Sequence, residues 1–430
     1  MRFFNECGRY LMASAAAQAR WEINISNTIF RDRKRLLLLA LLLASVIIGM
    51  FTCYAFAQGG NSTLPSTLGG SSAYTPANYA IGIFLAAILV GLIAGLITGC
   101  IGAGGGFIIT PALMSFGIKG ILAVGTDLFH IFAKAIMGAV IHRKLGNVAV
   151  KIAVAFGVGS LIGATVGGML NRALYERNPV LSDAFITSIY SVMLGFLGFY
   201  ALRQYLNSRK TGGGASPEGG GEGEEIGKLP QKIQSVNIPP MIGFDRHIVP
   251  GGRRISWVFV ALVGLLVGFV ASIMGVGGGF LTFPMFVFTL GLSGTTTVGT
   301  DIFQIIFTGG YAAISQYAIY GFIFYTLAMG MLLGSLVGIQ IGALVTRVVP
   351  STQIRAFYAM AVLAGFANRI FALPGKLGSL GVVSISSGTG NLLANIGMVV
   401  FFVVLGIFAI WVIGTFARSI KKLKGIEVKT

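Results

Sequence analysis

Charged residues are scarce in this sequence. Of its 430 residues, 10% are charged and 55% are hydrophobic, whereas a soluble domain carries about 25% charged residues. Such scarcity excludes an ordinary soluble globular domain. Repeated apolar runs of about 20 residues instead indicate a polytopic membrane protein, so the first expected partner is the lipid bilayer.

Chemically reactive side chains are also scarce. The three cysteines, Cys7, Cys53 and Cys100, have no CxxC spacing, so neither a disulfide framework nor a zinc site is indicated. Three histidines and 13 acidic residues are few for an integral-membrane enzyme, which needs them clustered. The ATP-binding pattern GxxxxGK[ST] is missing as well. We therefore expect no enzyme activity, no metal and no cofactor.

Most of the charged residues are basic: 31 are Lys or Arg, and 13 are Asp or Glu. The net charge is +18 at pH 7, which in a soluble chain would suggest nucleic acid. Here the basic residues lie between apolar runs, where the positive-inside bias places them. We expect no nucleic-acid partner and use the bias to orient the chain.

Twelve apolar segments are predicted to be helices, because a segment in lipid must satisfy its own backbone polar groups. Two of them, 105–118 and 278–291, are about 20 Å long at 1.5 Å per residue and do not cross a 30 Å hydrocarbon core comfortably. The twelve segments are 36–57, 79–101, 105–118, 121–141, 148–170, 182–206, 255–274, 278–291, 297–319, 322–346, 353–373 and 393–416.

The orientation follows from the basic residues before the first segment and after the last. If every segment crosses, all but six of the 31 Lys and Arg residues lie on the cytoplasmic side, and both termini are cytoplasmic. The six exceptions are Lys119, Lys134, Arg172, Arg177, Arg369 and Lys376. Segment 36–57 also resembles a signal peptide, and cleavage after Ala57 would leave the new N terminus outside.

An internal repeat organises the chain. GAGGGFIITP, VGTDLF and GSLIGATVG each recur in the same order at an offset of 173 to 175 residues, at 275–284, 298–303 and 334–342. We predict an all-α polytopic membrane protein with two inverted-topology repeats of about five helical segments. Short or re-entrant helices follow the GxGGG motifs, and one extra helix stands at each end.

Five regions follow from this organisation. They are an N-terminal extension with one apolar segment and an external loop (1–78), transmembrane repeat 1 (79–206), a cytoplasmic Gly-rich acidic and basic linker (207–253), transmembrane repeat 2 (254–373), and a final helix with a basic cytoplasmic tail (374–430).

Each repeat carries a glycine cluster between a full-length segment and a short one. Such a cluster breaks a helix, and the start of the short helix then offers unpaired N–H groups and partial positive charge to an anion. The alternative is that the glycines only allow tight helix packing. The predicted substrate-binding glycines are Gly102, Gly104, Gly105, Gly106, Gly275, Gly277, Gly278 and Gly279.

Segment 121–141 carries Asp127, His130 and Lys134, whose i, i+3, i+7 spacing puts them on one helix face. Ionisable groups inside a membrane are costly and indicate function. Lys134 would attract an anion, and His130 would carry a coupling proton. The alternative is that Lys134 pairs with a carboxylate or snorkels, and that His130 bonds a backbone carbonyl.

The aligned positions in segment 297–319 are Asp301, Gln304 and Thr308, which lack a cation. The shared Thr126–Asp127 and Thr300–Asp301 pairs and Gln304 are predicted to contribute to the substrate-binding site. An alternative is that they cap helix starts by accepting backbone N–H groups.

The doubled GxGGGF…P and GTD blocks resemble the TauE/SafE-type sulfite exporter family, also called the sulfonate uptake permease family. The resemblance covers roughly 85–205 and 257–415. It implies a bacterial inner-membrane secondary carrier for small anions such as sulfite, sulfonates or related organic acids, driven by a proton or ion gradient. The implied site joins the two glycine clusters with both Thr–Asp pairs. An anion channel or, less favoured, an integral-membrane enzyme is the alternative, and the oligomeric state does not follow from the sequence.

Overall fold

The structure is a computed structural model that describes residues 81–101, 105–144, 148–211, 228–245, 252–277, 279–346, 348–349 and 351–428. The predicted apolar segment 36–57 lies outside these residues, as do Gly102, Gly104 and Gly278 of the predicted site.

Nearly all described elements are helical. In the first repeat they are α1 (Ile81–Ile101), α2 (Gly106–Ser115), α3 (Gly120–Lys144), α4 (Val150–Arg177) and α5 (Pro179–Thr211). The connection between the repeats contains α6 (Lys228–Gln234), β1 (Met241–Phe244) and β2 (Arg253–Ser256). The second repeat contains α7 (Trp257–Met274), α8 (Gly279–Pro284) with a π-helical continuation (Met285–Leu290), α9 (Gly294–Tyr311) with a π-helical continuation (Ala312–Ala318), α10 (Tyr325–Val345) and α11 (Ser351–Ser379). The long α12 (Ser387–Val428) follows.

Seven of the described helices are long and apolar enough to cross a membrane, namely α1, α4, α5, α7, α10, α11 and α12. The predicted all-α polytopic fold is confirmed, and the inverted relation of the repeats stays a prediction. Several helices extend beyond the predicted apolar segments; α12, for example, ends at Val428 rather than near 416. Apolar composition predicts only the part of a helix that suits a hydrocarbon core, so it underestimates the length of the helix.

Both glycine clusters interrupt a helix, as predicted. In the first repeat α1 ends at Ile101 and α2 begins at Gly106. In the second, α7 ends at Met274, and Gly275 and Gly277 follow with φ of 80° and 67°. Residues with a Cβ rarely adopt this left-handed conformation, so glycine is required at the second break.

Glycines also bring helices of different repeats into backbone contact. On α1, Gly95 lies against the backbone of Ser335 on α10, and an added Cβ would overlap its carbonyl oxygen. On α7, Gly268 lies in the same way against the backbone of Ser160 on α4. Close approach through small residues is the usual way in which membrane helices pack tightly.

The helix pairs follow a regular pattern. The first helix of each repeat packs on the fourth helix of the other, so that α1 pairs with α10 and α7 with α4. The third helices, α3 and α9, contact each other, and so do the fifth helices, α5 and α11. A two-fold relation between the repeats would produce this pattern.

The end of the inter-repeat connection forms a small hairpin. β1 and β2 pair antiparallel, with Met241 opposite Ser256. Ile242 and Ile255 of this hairpin pack in one apolar cluster with Phe286 and Leu290, which follow α8. The second part of the predicted linker is therefore folded against the second short segment.

Candidate functional site

The third helix of the first repeat brings Asp127, His130 and Lys134 to one face. Asp127 and His130 are completely buried. Asp127 Oδ2 accepts a hydrogen bond from Thr110 Oγ1 of α2 (3.0 Å), which ties α3 to the short helix. The sequence predicted the shared face but not Thr110, because nothing in the local pattern pairs it with α3.

An unsatisfied pair of atoms lies between the acid and the imidazole. Asp127 Oδ1 and His130 Nδ1 are 3.6 Å apart, too far for a hydrogen bond. Neither atom has another hydrogen-bond partner among the described residues. Leaving a buried polar atom unpaired costs about 1–3 kcal/mol, which a purely structural cluster would avoid.

The other imidazole nitrogen contacts the second repeat. His130 Nε2 lies 3.0 Å from the hydroxyl of Ser335 on α10, within the buried interior. The alternative in which His130 bonds a backbone carbonyl is not observed, and the hydrogen bond joins the two repeats instead. Ser335 belongs to the repeated GSL block, which the sequence analysis used only for alignment.

Lys134 lies at the first helix break. Its Nζ donates to Thr98 Oγ1 of α1 at 3.4 Å, and the same oxygen accepts the Gly105 backbone N–H at 3.0 Å. No described carboxylate lies within ion-pair distance of Lys134, so the predicted alternative of a salt bridge with Asp127 is not observed. Thr98 was missed; its position one helical turn before the glycine cluster was the available signal.

The matched face of α9 carries no cation and forms a hydrogen-bonded network. Gln304 Nε2 donates to Asp301 Oδ1 (3.0 Å), and Thr308 Oγ1 donates to Gln304 Oε1 (2.7 Å). Thr308 Oγ1 also lies 2.6 Å from Ser160 Oγ of α4. The structure thus joins the predicted residues of α9 to one another and to a serine of the other repeat.

Thr126 and Thr300 of the two GTD motifs each accept a hydrogen bond at the start of a helix other than the one that contains them. Thr126 and Thr300 lie inside α3 and α9, so the predicted capping of those helix starts is wrong. Instead Thr126 Oγ1 accepts the N–H of Phe324, the residue before α10 (2.9 Å). Thr300 Oγ1 accepts the N–H of Ala149, the residue before α4 (2.9 Å). Each threonine therefore caps a helix of the other repeat.

The two glycine clusters adjoin each other. Gly105, Gly106, Gly275 and Gly277 are all buried, and a Cβ added to Gly106 would lie 3.0 Å from the Cα of Val276 in the second cluster. Segments 173 positions apart in the sequence therefore meet at one place.

The aromatic residues that follow the clusters also meet. The rings of Phe107 and Phe280 stack with centroids 4.9 Å apart. Gly279 opens α8 directly before Phe280, as Gly106 opens α2 before Phe107. The two short helices thus begin side by side.

Within the described residues, no three His, Cys, Asp or Glu side chains are grouped so that they could hold a metal ion. The site consists of one ammonium group, two carboxyl groups, one imidazole, hydroxyls and backbone amides. These groups suit the binding of a small polar solute.

The fold is that of a multi-pass membrane protein in which polar side chains of the two repeats meet. A family model described as Sulfite exporter TauE/SafE matches residues 87–369, and the chain belongs to this family. The sequence-based family assignment is confirmed.

Curated relatives carry transporter names. The chain is 24% identical over 262 residues to the probable membrane transporter protein YjnA of Bacillus subtilis, covering 60% of this chain and 87% of that protein. It is 25% identical over 288 residues to the probable membrane transporter protein YdhB of the same organism, covering 65% and 97%. It is also 28% identical over 120 residues to Sulfite exporter TauE/SafE family protein 6 of Arabidopsis thaliana, covering 26% and 28%. No solved structure shows a significant match.

Proposed function

We propose that this transporter carries small anions and binds them where Lys134 meets the start of α2. The observation that carries the proposal is the Lys134 ammonium group, 3.4 Å from Thr98 Oγ1 and within ion-pair distance of no described carboxylate. A cation inside a membrane is costly unless it is paired, so an anionic substrate is the natural partner.

The start of the short helix adds to this attraction. Thr98 Oγ1 connects Lys134 to the backbone N–H of Gly105, immediately before Gly106 opens α2. The first N–H groups of a helix lack intrahelical acceptors and carry partial positive charge. An ammonium group beside such a start is a combined anion site.

Coupling to a proton or ion gradient is the second element of the proposal. Asp127 Oδ1 and His130 Nδ1 are buried, unsatisfied and 3.6 Å apart. A proton between them would complete a hydrogen bond after a small movement of either side chain. Because His130 also contacts α10 of the other repeat, its protonation would act on the contact between the repeats.

Inverted repeats would give the carrier two alternating states. The exchange of helices between repeats and the meeting of the glycine clusters support such symmetry. Rocking of one repeat against the other around a fixed site is the usual mechanism of this architecture. We expect the protein in the cytoplasmic membrane with cytoplasmic termini, and sulfite, sulfonates or related organic acids as substrates.

Purified full-length protein tests the proposal. Sulfite, thiosulfate, sulfonates and small carboxylates are each added while thermal unfolding is followed, and a stabilising anion is then used for uptake into liposomes. Lys134→Gln should remove most of the stabilisation and most of the uptake at an anion concentration that half-saturates the wild type. Lys119→Gln is the matched control, because Lys119 lies in the turn before α3 and donates to Tyr175 Oη.

Two results would contradict the proposal. One is a wild-type protein that no tested anion stabilises, and the other is Lys134→Gln protein that takes up the anion at the wild-type rate. Saturation of the flux and counterflow distinguish a carrier from the alternative of an anion channel.

A further inference from the structure

Arg369 is a buried cation, and it lies at the far end of the short helix α2. It belongs to α11 and is 2% exposed. Its Nη2 donates to the backbone oxygen of Pro111 (3.1 Å) and to Ser115 Oγ (3.0 Å), and its Nε donates to Asn368 Oδ1 (2.7 Å). Nη1 contacts the sulfur of Met114 at 3.3 Å. All these acceptors are neutral.

No described carboxylate lies within ion-pair distance of Arg369. Asp183 on the neighbouring α5 is already paired with Lys376 Nζ at 3.1 Å. A buried charge without an oppositely charged partner is strongly unfavourable. If Arg369 served only to attach α2 to α11, a carboxylate in the position of Asn368 would stabilise the protein more than the amide does.

In the connection before the second repeat, Arg253 on β2 supports the end of the other short segment with its charge paired. Arg253 Nη1 donates to the backbone oxygen of Gly291, just after the second short segment (2.7 Å). The same Nη1 lies 3.7 Å from Asp245 Oδ2. Supporting the end of a short segment therefore does not require an unpaired arginine.

We propose that Arg369, with Asn368 and Ser115, forms a second anion-binding site at the C-terminal end of α2. It rests on the proposed function, because it assigns the same substrate a further position in the protein. The guanidinium fork binds two oxygens side by side, so the ligand class is a small oxyanion with at least two accessible oxygens. On binding, the anion replaces the neutral acceptors of Arg369.

The two anion sites bracket one element. Lys134 lies at the start of α2 and Arg369 at its end, and the ten residues of α2 span about 15 Å. Lys376 lies two turns after Arg369 on the same face of α11, in the last turn of that helix. An anion would pass from the Arg369 site to the Lys134 site along α2.

The test supplies the missing carboxylate. Asn368→Asp is nearly isosteric and keeps the acceptor of Arg369, so the melting temperature should be unchanged or higher. If Arg369 binds anions, the half-saturating concentration for sulfite uptake into liposomes should rise at least tenfold. Gln316→Glu is the matched control, because Gln316 Oε1 likewise accepts from an arginine, Arg172 Nη1 (2.9 Å), outside the proposed site.

Each outcome decides between the two proposals. Suppose that sulfite saturates wild-type uptake, that Lys134→Gln raises the half-saturating concentration at least tenfold, and that Asn368→Asp changes it less than twofold. The second site is then refuted and the proposed function stands. If the panel shows no anion uptake by the wild type, both fail together. Should Asn368→Asp not fold, Arg369→Gln is measured against the same tenfold and twofold limits.

Discussion

The two third helices, α3 and α9, occupy matched positions in the repeats but carry different chemistry. Both carry an aspartate after Gly-Thr, and both touch a serine of the other repeat. On α3 the face continues with an imidazole and an ammonium group, and on α9 it continues with an amide and a hydroxyl. The repeats share one scaffold, and only α3 carries an ammonium group on this face.

The largest effect should come from the glycines that form the shared scaffold. Gly95→Leu and Gly268→Leu each force a side chain into the backbone of the partner helix, Ser335 or Ser160. Overpacking costs about 1–3 kcal/mol or more, so both variants should melt far below the wild type or fail to fold. Thermal unfolding of the purified proteins measures this.

Gly406→Leu is the control, since an added Cβ on α12 meets nothing within 4 Å. A wild-type melting temperature for either Gly95→Leu or Gly268→Leu would contradict the claim that these glycines are required for the contact between the helices.

The next largest effect should follow from making α3 resemble α9. Lys134→Thr installs the residue of the matched position and removes a charged hydrogen-bond donor worth about 1.5–3 kcal/mol. We expect about a 10- to 150-fold loss of anion affinity, with the fold retained. Titration of anion-dependent melting temperature measures it.

The reciprocal substitution introduces a lysine at the matched position of α9. Thr308→Lys places a cation on α9 beside Ser160. In the Lys134→Thr background it should not restore the original affinity, because Thr98 and the start of α2 are missing there. Full restoration would indicate that charge alone defines the site.

A smaller and more selective effect is expected for His130→Gln, the second exchange that copies α9. Glutamine can keep a hydrogen bond to Ser335 but cannot take up a proton. Anion affinity should change only a few-fold, whereas stimulation of uptake by an imposed proton gradient should disappear. Unchanged stimulation in liposomes would remove His130 from the coupling mechanism.

The smallest effect should come from the hydrogen bonds that Thr126 and Thr300 accept at the starts of α10 and α4. Thr126→Val and Thr300→Val each delete one hydrogen bond to the residue before α10 or α4. Loss of a cap costs about 0.5–2 kcal/mol, and we expect similar decreases in melting temperature for both. Thr165→Val is a control on the surface of α4, since Thr165 bonds its own helix and Tyr311. A decrease in only one capping variant would mean that the two caps are not equivalent.

The sequence by itself determined where the helices break and which faces are polar. Glycine clusters end α1 and α7 because glycine destabilises a helix and adopts left-handed φ, as at Gly275. The periodicity of 3.6 residues put Asp127, His130 and Lys134 on one face. These properties depend only on nearby residues, so a local pattern is enough to predict them.

Only the tertiary structure decided which groups these residues meet. Thr98 beside Lys134, Ser335 beside His130, and the caps supplied by Thr126 and Thr300 all join distant segments. Arg369 looked like an ordinary exception to the positive-inside bias until packing buried it beside α2. Contacts between elements depend on how whole helices cross, and helix crossing is determined by the sum of many small packing energies that no local pattern records.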